Sequence, residues 1–196
     1  MSLEHLWAGW RSEYVSSVPT AEEVDDLGPD GAGEAVGAEV DSANHPLDDP
    51  ARCVFCRLAA AGPPSADNGV LWRGAHTFAV LNAYPYASGH LMVMPLRHVR
   101  SLAEVTAAEG AELWSGVRAG VSALEAAYGP EGVNIGANLG RAAGAGIPRH
   151  LHLHAVPRWV GDTNFMTAVA NVRVLPETLA HSWERLVQVW PAVGAP

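Results

Sequence analysis

Three histidines alternate strictly with apolar residues in His150-Leu151-His152-Leu153-His154, which runs on into Ala155-Val156 and Pro157-Arg158-Trp159. Alternate side chains of an extended strand share a face, so the three imidazoles are expected in one row while Leu151, Leu153 and Ala155 point into a core. Successive rings would stand ~6 to 7 Å apart along the strand. That spacing suits a row of phosphates and does not suit joint ligation of one metal ion without a bend. A polar sheet face accounts for one histidine, but three in register on an apolar strand point to chemistry. Neutral imidazole is a nucleophile towards phosphorus, and a neighbouring imidazolium can pass a proton to a leaving phosphate oxygen at neutral pH. Just upstream, the glycine-rich stretch Gly140 to Gly146 offers backbone amides for the remaining phosphate oxygens. Together these favour cleavage of a phosphoanhydride through a covalent histidine intermediate.

The chain's two cysteines, Cys53 and Cys56, have C-x-x-C spacing. They supply half of a tetrahedral zinc site, for which His98 and His150 are candidate partners. Such a closed site would be structural, tying the start of the compact region to the histidine strand and leaving His152 and His154 free. A metal-free thiol pair is the alternative. A thioredoxin-like redox pair is disfavoured, because no strand precedes Cys53 and the helix after it would be short.

Short β-prone runs at Val70–Arg73, Thr77–Asn82 and His90–Met94 supply the sheet. The last two are joined by the turn-rich Ala83–Gly89 and should pair antiparallel. Thr106-Ala107-Ala108-Glu109 is a capping box, and Leu113, Val117, Val121, Leu124 and Tyr128 continue at helical spacing to the stop signal Gly129-Pro130. Val133 to Leu139 alternates like a strand and should pair with the histidine strand across the glycine loop. A last strand is expected to include Ala168 to Val174, and Pro176 opens a final helix carrying Leu179, Trp183, Leu186 and Trp190. At the other end, residues 3–18 have the apolar spacing of a docking helix, and Pro19 to Pro50 reads as a flexible acidic linker. The expected organisation is therefore an arm and linker over 1–50 and one domain over 51–196. Its fold class is α+β, an antiparallel sheet of about five strands with one long packed helix and terminal helices.

The net charge of −9 is concentrated in that linker, where residues 20–50 hold ten acids and no arginine or lysine. The remainder is close to neutral, and all twelve basic residues of the chain are arginines. A broad basic footprint for nucleic acid is thus excluded, while a small local anion site is not. No apolar run reaches the ~20 residues of a membrane span and the amino terminus does not read as a signal peptide, so a soluble cytoplasmic protein is expected.

The stretch His-Leu-His-Leu-His-Ala-Val at 150–156 resembles the signature of the histidine triad (HIT) superfamily of nucleotide hydrolases and transferases. The likeness extends to Leu6-Trp7-Ala8-Gly9-Trp10-Arg11 with Tyr14, Cys53–Cys56, Leu81-Asn82, Gly89-His90-Leu91, Pro95–His98 and Asn134–Gly140. The part from Val156 through Gly161–Met166 to Pro176 is similar to the actinobacterial branch that includes diadenosine tetraphosphate phosphorylase.

This resemblance implies a HIT-like fold, a homodimer or larger homo-oligomer, and nucleotidyl transfer from a dinucleoside polyphosphate. With phosphate as acceptor, diadenosine tetraphosphate would yield ATP and ADP; with water the protein would be a hydrolase. It implies His152 as nucleophile, His154 as the phosphate contact that assists the leaving group, and His90 as their support. Asn82 would contact ribose, Asn138 stands before the phosphate loop that includes Gly144, and Cys53, Cys56, His98 and His150 would hold a structural zinc ion. No organic cofactor is implied. Gly146 replaces the Gln or Ser common in the family, so backbone or Arg149 would take over its phosphate contact. Trp159 is open to base stacking or to packing, and Arg141, Arg149 and Arg158 to polyphosphate contacts. A Hint-like phosphoramidate hydrolase and a nucleotide-binding sensor with little turnover remain as alternatives.

Overall fold

The computed structural model describes residues 50–162 and 177–191. The expected arm at 3–18, the acidic linker and the strand at 168–174 lie outside the described residues. Helix α1 (Val54–Ala60) is followed by β1 (Val70–Arg73), β2 (Thr77–Leu81), β3 (Leu91–Pro95), α2 (Ala107–Tyr128), β4 (Gly132–Gly136), β5 (Leu153–Arg158) and α3 (Leu179–Val189). The strands form one five-stranded sheet in the order β1-β2-β3-β5-β4, every neighbouring pair antiparallel.

Strand alternation gives the sheet two apolar faces. On one, Ala79, Leu81, Leu91, Val93 and Ala155 pack with Leu113, Val117 and Leu124 of α2 and Leu186 of α3. On the other, Val70, Phe78, Val80, Met92 and Met94 pack beneath Cys53 and Phe55 of the α1 segment. Because Met92 is opposite His154 across the β3–β5 ladder, that histidine shares the α1 face. Leu151 and Ala155 belong to the helix-side core, as the alternation predicts.

Helix α2 begins where Thr106 accepts a hydrogen bond from the Glu109 amide (3.2 Å) and the Glu109 carboxylate accepts from the Thr106 amide (2.8 Å). It ends at Gly129, whose φ of +55° belongs to the left-handed region that favours glycine. Gly116 and Gly120 let it approach the sheet closely, since a Cβ there would stand 2.9 Å from Val93 Cγ1 or 3.0 Å from Leu91 Cδ1. The sheet under the site is thus backed by a tightly seated helix. On the opposite face Arg73 holds the end of α1, its guanidinium donating to the carbonyls of Ala59, Leu58 and Gly62.

Three boundaries differ from those expected. β4 stops at Gly136, so Asn138 falls in the loop beyond it. α3 starts at Leu179, capped by the Thr178 hydroxyl, and Trp190 stands just past its end. β5 starts only at Leu153, so His150 and His152 precede the strand instead of extending it.

Candidate active site

The break in the histidine row has a local cause. β5 pairs with β3 only as far as Leu153 opposite Val93, and upstream the Leu151 amide donates to the Val99 carbonyl (2.7 Å). Pairing passes from β3 to the loop after it, and the chain bends. His150 then donates from Nε2 to the Pro95 carbonyl (2.9 Å), which leaves the Nδ1 lone pair facing the cysteines. His152 donates from Nδ1 to the carbonyl of His150 (2.7 Å), so its unprotonated atom is Nε2. Burial lowers the pKa of His152, partly offset by that carbonyl. It also pushes His150 down to about 4, with the Pro95 carbonyl opposing it and His98 and His152 adding to it. Both rings are therefore neutral at pH 7.

His154 is set by a second chain of bonds. The Tyr86 amide donates to His90 Nδ1 (3.1 Å), so the proton of neutral His90 is on Nε2, which faces His154 Nδ1 at 3.0 Å. His154 accepts at Nδ1, and its remaining N–H is at Nε2. Burial first, and the neighbouring His152, push His154 down to about 4. The expected imidazolium is thus replaced by a neutral ring whose Nε2–H is held as a donor. Asn82 lies alongside: its Oδ1 accepts from the Tyr84 amide (2.9 Å), and its Nδ2, a donor like the protonated His90 Nε2, stands 3.4 Å from it without bonding. One unprotonated Nε2 stands beside one Nε2–H donor, with ring centres 4.9 Å apart. That pairing fits attack on phosphorus with hydrogen bonding to a neighbouring phosphate oxygen.

Cys53, Cys56, His98 and His150 come together as expected, their four ligand atoms all within 4.8 Å of one another. His150 Nδ1 lies 3.4 Å from Cys53 Sγ and 3.6 Å from Cys56 Sγ, and His98 Nδ1 lies 3.3 Å from Cys56 Sγ. Ligand atoms of a tetrahedral zinc site are roughly 3.3 to 3.8 Å apart, and two thiols with two imidazoles are a zinc-type donor set. Burial first, then the adjacent Cys53, pushes the Cys56 thiol up to about 12 without a cation, so a metal bound there must displace a proton. The residues fit the group.

Three amides of the expected phosphate loop after β4 are bonded internally. The amides of Ala143, Gly144 and Ala145 donate within the loop, to Gly140 and Arg141 carbonyls, and Asn138 Nδ2 donates to the Gly144 carbonyl (3.2 Å). Asn138 therefore shapes the loop, and Gly144 contributes a folded turn instead of a free amide. Gly146 has no positive φ, and a Cβ there would meet nothing within 4 Å. Trp159 is not brought to the histidines; it lies beyond the far end of β5, with its amide bonded to Asp162 (3.2 Å). Arg158 is engaged by Asp162 and by Asn134. Sequence reasoning missed Phe55, whose ring lies 5.1 Å from His152, and Tyr86, whose ring lies 4.8 Å from His90. The signal for Phe55 was its place inside the C-x-x-C motif; nothing in the turn around Tyr86 singled it out.

A five-stranded antiparallel sheet backed by a long helix, with bonded histidines on its other face, defines a histidine triad protein. The HIT domain family matches residues 64–160, and an HIT-like protein of Methanocaldococcus jannaschii is 33% identical over 110 residues that span 81% of its length. The chain belongs to the HIT domain family. It is also 42% identical over 121 residues to a protein named AP-4-A phosphorylase from Mycobacterium tuberculosis, a match that covers 62% of each chain. The chain thus spans less than two thirds of that relative. Among solved structures, a Zn-bound histidine triad family protein from Mycobacterium smegmatis superposes with a TM-score of 0.57 at 27% identity, over 72% of this chain and 94% of that one.

Proposed function

We propose that the chain cleaves dinucleoside polyphosphates by nucleotidyl transfer through His152. Nε2 attacks the α-phosphorus, the bond to the bridging oxygen breaks, and the departing nucleotide is met by the Nε2–H of His154. Phosphate or water then displaces the histidine. With diadenosine tetraphosphate the first step releases ATP and leaves an adenylyl group on His152; transfer to phosphate gives ADP, and transfer to water gives AMP. The observation that carries this reading is the bond from His152 Nδ1 to the His150 carbonyl, which leaves Nε2 unprotonated beside the His154 donor. The likeness to the mycobacterial phosphorylase favours phosphate as acceptor. Asn82, bonded to the Tyr84 amide beside His90, is assigned to the ribose.

The same reading includes a structural zinc ion held by Cys53, Cys56, His98 and His150, supported by the donor set and by the Zn-bound mycobacterial neighbour. When bound, such an ion cross-links the α1 segment to the turn before β5. A homodimer is supported by the position of β4 at the sheet edge and by exposed Ile135 and Trp114 on its helix side. Two cysteines placed as metal ligands and not paired in a disulfide fit a reducing compartment such as the cytoplasm.

Purified protein incubated with diadenosine tetraphosphate, with and without phosphate, tests the function. ATP and ADP in the presence of phosphate, abolished by His152→Ala, is the expected result. AMP in place of ADP in both buffers would make the protein a hydrolase. Nucleotide binding without product would replace the enzyme by a sensor.

A further inference from the structure

Phe55 occupies an unusual place between the metal site and the reacting histidine. It stands between Cys53 and Cys56 and is 4% exposed. Its ring meets His150 edge-on at 5.5 Å and His152 at 5.1 Å with an interplanar angle of 59°. The contacts on His152 include the His150 carbonyl at Nδ1, the ring of His154, and Phe55. One hydrogen bond of ordinary tolerance still lets the imidazole rock about its Cβ–Cγ bond. A packing contact on the ring narrows that range, and with it the direction of Nε2. Of these, His150 and Phe55 belong to the two stretches that the candidate metal ligands bring together.

We propose that Phe55 is a positioning residue for His152, transmitting the closure of the Cys53, Cys56, His98 and His150 site to the bearing of the nucleophilic nitrogen. The inference rests on the reading of His152 as the attacking group. It adds that the ligand set acts on the reaction through packing. The cysteines hold both ends of the short turn that carries Phe55, and His150 supplies a ligand from its side chain and the orienting acceptor from its backbone. A closed site makes the two contacts on His152 rigid together; an open one releases both.

The test uses full-length zinc-loaded protein with Phe55→Ala and Phe55→Leu. Zinc content, kcat and KM for diadenosine tetraphosphate, and the His152 ring resonances, assigned by their loss in His152→Ala, are measured together. Because a misplacement of ~1 Å can cost about 100-fold in rate, kcat of Phe55→Ala is expected to fall about 30- to 100-fold, with KM within about threefold of wild type. Zinc should stay at about one per chain. Phe55→Leu, which restores an apolar wall, should recover at least part of the loss. The His152 resonances should move in Phe55→Ala in the same sense as when zinc is removed from wild type. Unchanged kcat, or a raised KM with kcat intact, would overturn the inference, the second by making Phe55 a substrate wall. Should Phe55→Ala lose zinc or fail to fold, Phe55→Leu and metal removal from wild type decide: His152 resonances indifferent to both would overturn it. Wild-type turnover in His152→Ala would defeat the proposed function alone, since the resonances still report whether Phe55 and the metal set that ring.

Discussion

Removing the His90 side chain should cost catalysis much more than substrate affinity. His90 is fully buried, takes the Tyr86 amide at Nδ1, and presents Nε2–H to His154 at 3.0 Å. In His90→Ala nothing holds the proton of His154 on Nε2. The ring is free to protonate at Nδ1 instead, which turns a lone pair towards the phosphate where a donor is needed. Loss of one preorganised donor to developing negative charge costs about 10² to 10³ in kcat, or roughly 2.7 to 4 kcal/mol of barrier. The Tyr86 amide is left without its acceptor, at about 1 to 3 kcal/mol of folding stability. His90→Gln, which can return an N–H towards His154 but no acceptor to Tyr86, should recover more rate than stability. Steady-state kinetics with diadenosine tetraphosphate, alongside denaturant unfolding, separate the two effects. A His90→Ala protein that folds and keeps wild-type kcat would refute the assignment of His154 as a neutral donor. So would an NMR titration that finds His154 charged near neutrality, because burial, with His152 beside it, holds that ring down to about 4.

Four further outcomes concern the metal, the helix cap and two glycines. Chelation should remove about one zinc per chain and lower the melting temperature, and Cys56→Ser should imitate it; metal analysis beside a thermal scan checks both. Arg97 first, then the Thr106 amide, hold the Glu109 carboxyl down to about 2, below its ordinary 4.5. The unfolded chain then binds the proton more readily, so this contribution to stability is complete above pH 4.5 and lost as pH falls through about 2. Glu109→Gln should accordingly be less stable than wild type at pH 6, with the gap in urea midpoints closing towards pH 2; a constant gap would contradict the sign. Gly146→Ser should alter stability by less than about 0.5 kcal/mol, because its Cβ meets nothing within 4 Å. Gly116→Ser, whose Cβ would lie 2.9 Å from Val93, should cost about 1 to 3 kcal/mol by the same unfolding assay.

The elements that local chemistry dictates were legible in the chain. The Thr106–Glu109 box and Gly129 mark both ends of α2, and the turn residues between β2 and β3 announce a hairpin whose register runs from Thr77–Pro95 to Leu81–Leu91. The four residues of the candidate metal site were legible because a C-x-x-C pair with histidines is a zinc-type donor pattern. What the sequence hid depends on partners distant in the chain. Alternation at 150–154 looks the same whether or not a neighbouring strand continues, so it could not reveal that pairing with β3 stops at Leu153. A bulge between Val70 and Trp72, which turns both Leu71 and Trp72 to the helix side, leaves no mark in composition either. A glycine-rich loop likewise does not say whether its amides are free, and here three of them bond within the loop.

The missing strand at His150 and His152 is also what allows the histidines to do different work. A straight strand would present three equivalent rings to one surface, and His150 would stand in the phosphate row instead of facing Cys53 and Cys56. By leaving the ladder before Leu153, the chain frees the His150 ring for the cysteines and brings its carbonyl within 2.7 Å of His152 Nδ1. His154, still in the ladder opposite Met92, stays within reach of His90 at the end of the hairpin. Alternation alone makes the histidines alike; the bend, and the backbone acceptors at Pro95 and His150, suit them to the proposed parts of metal ligand, nucleophile and donor. It follows that substitutions restoring strand pairing through 150–152 would damage the metal site and the nucleophile together, even with every histidine in place.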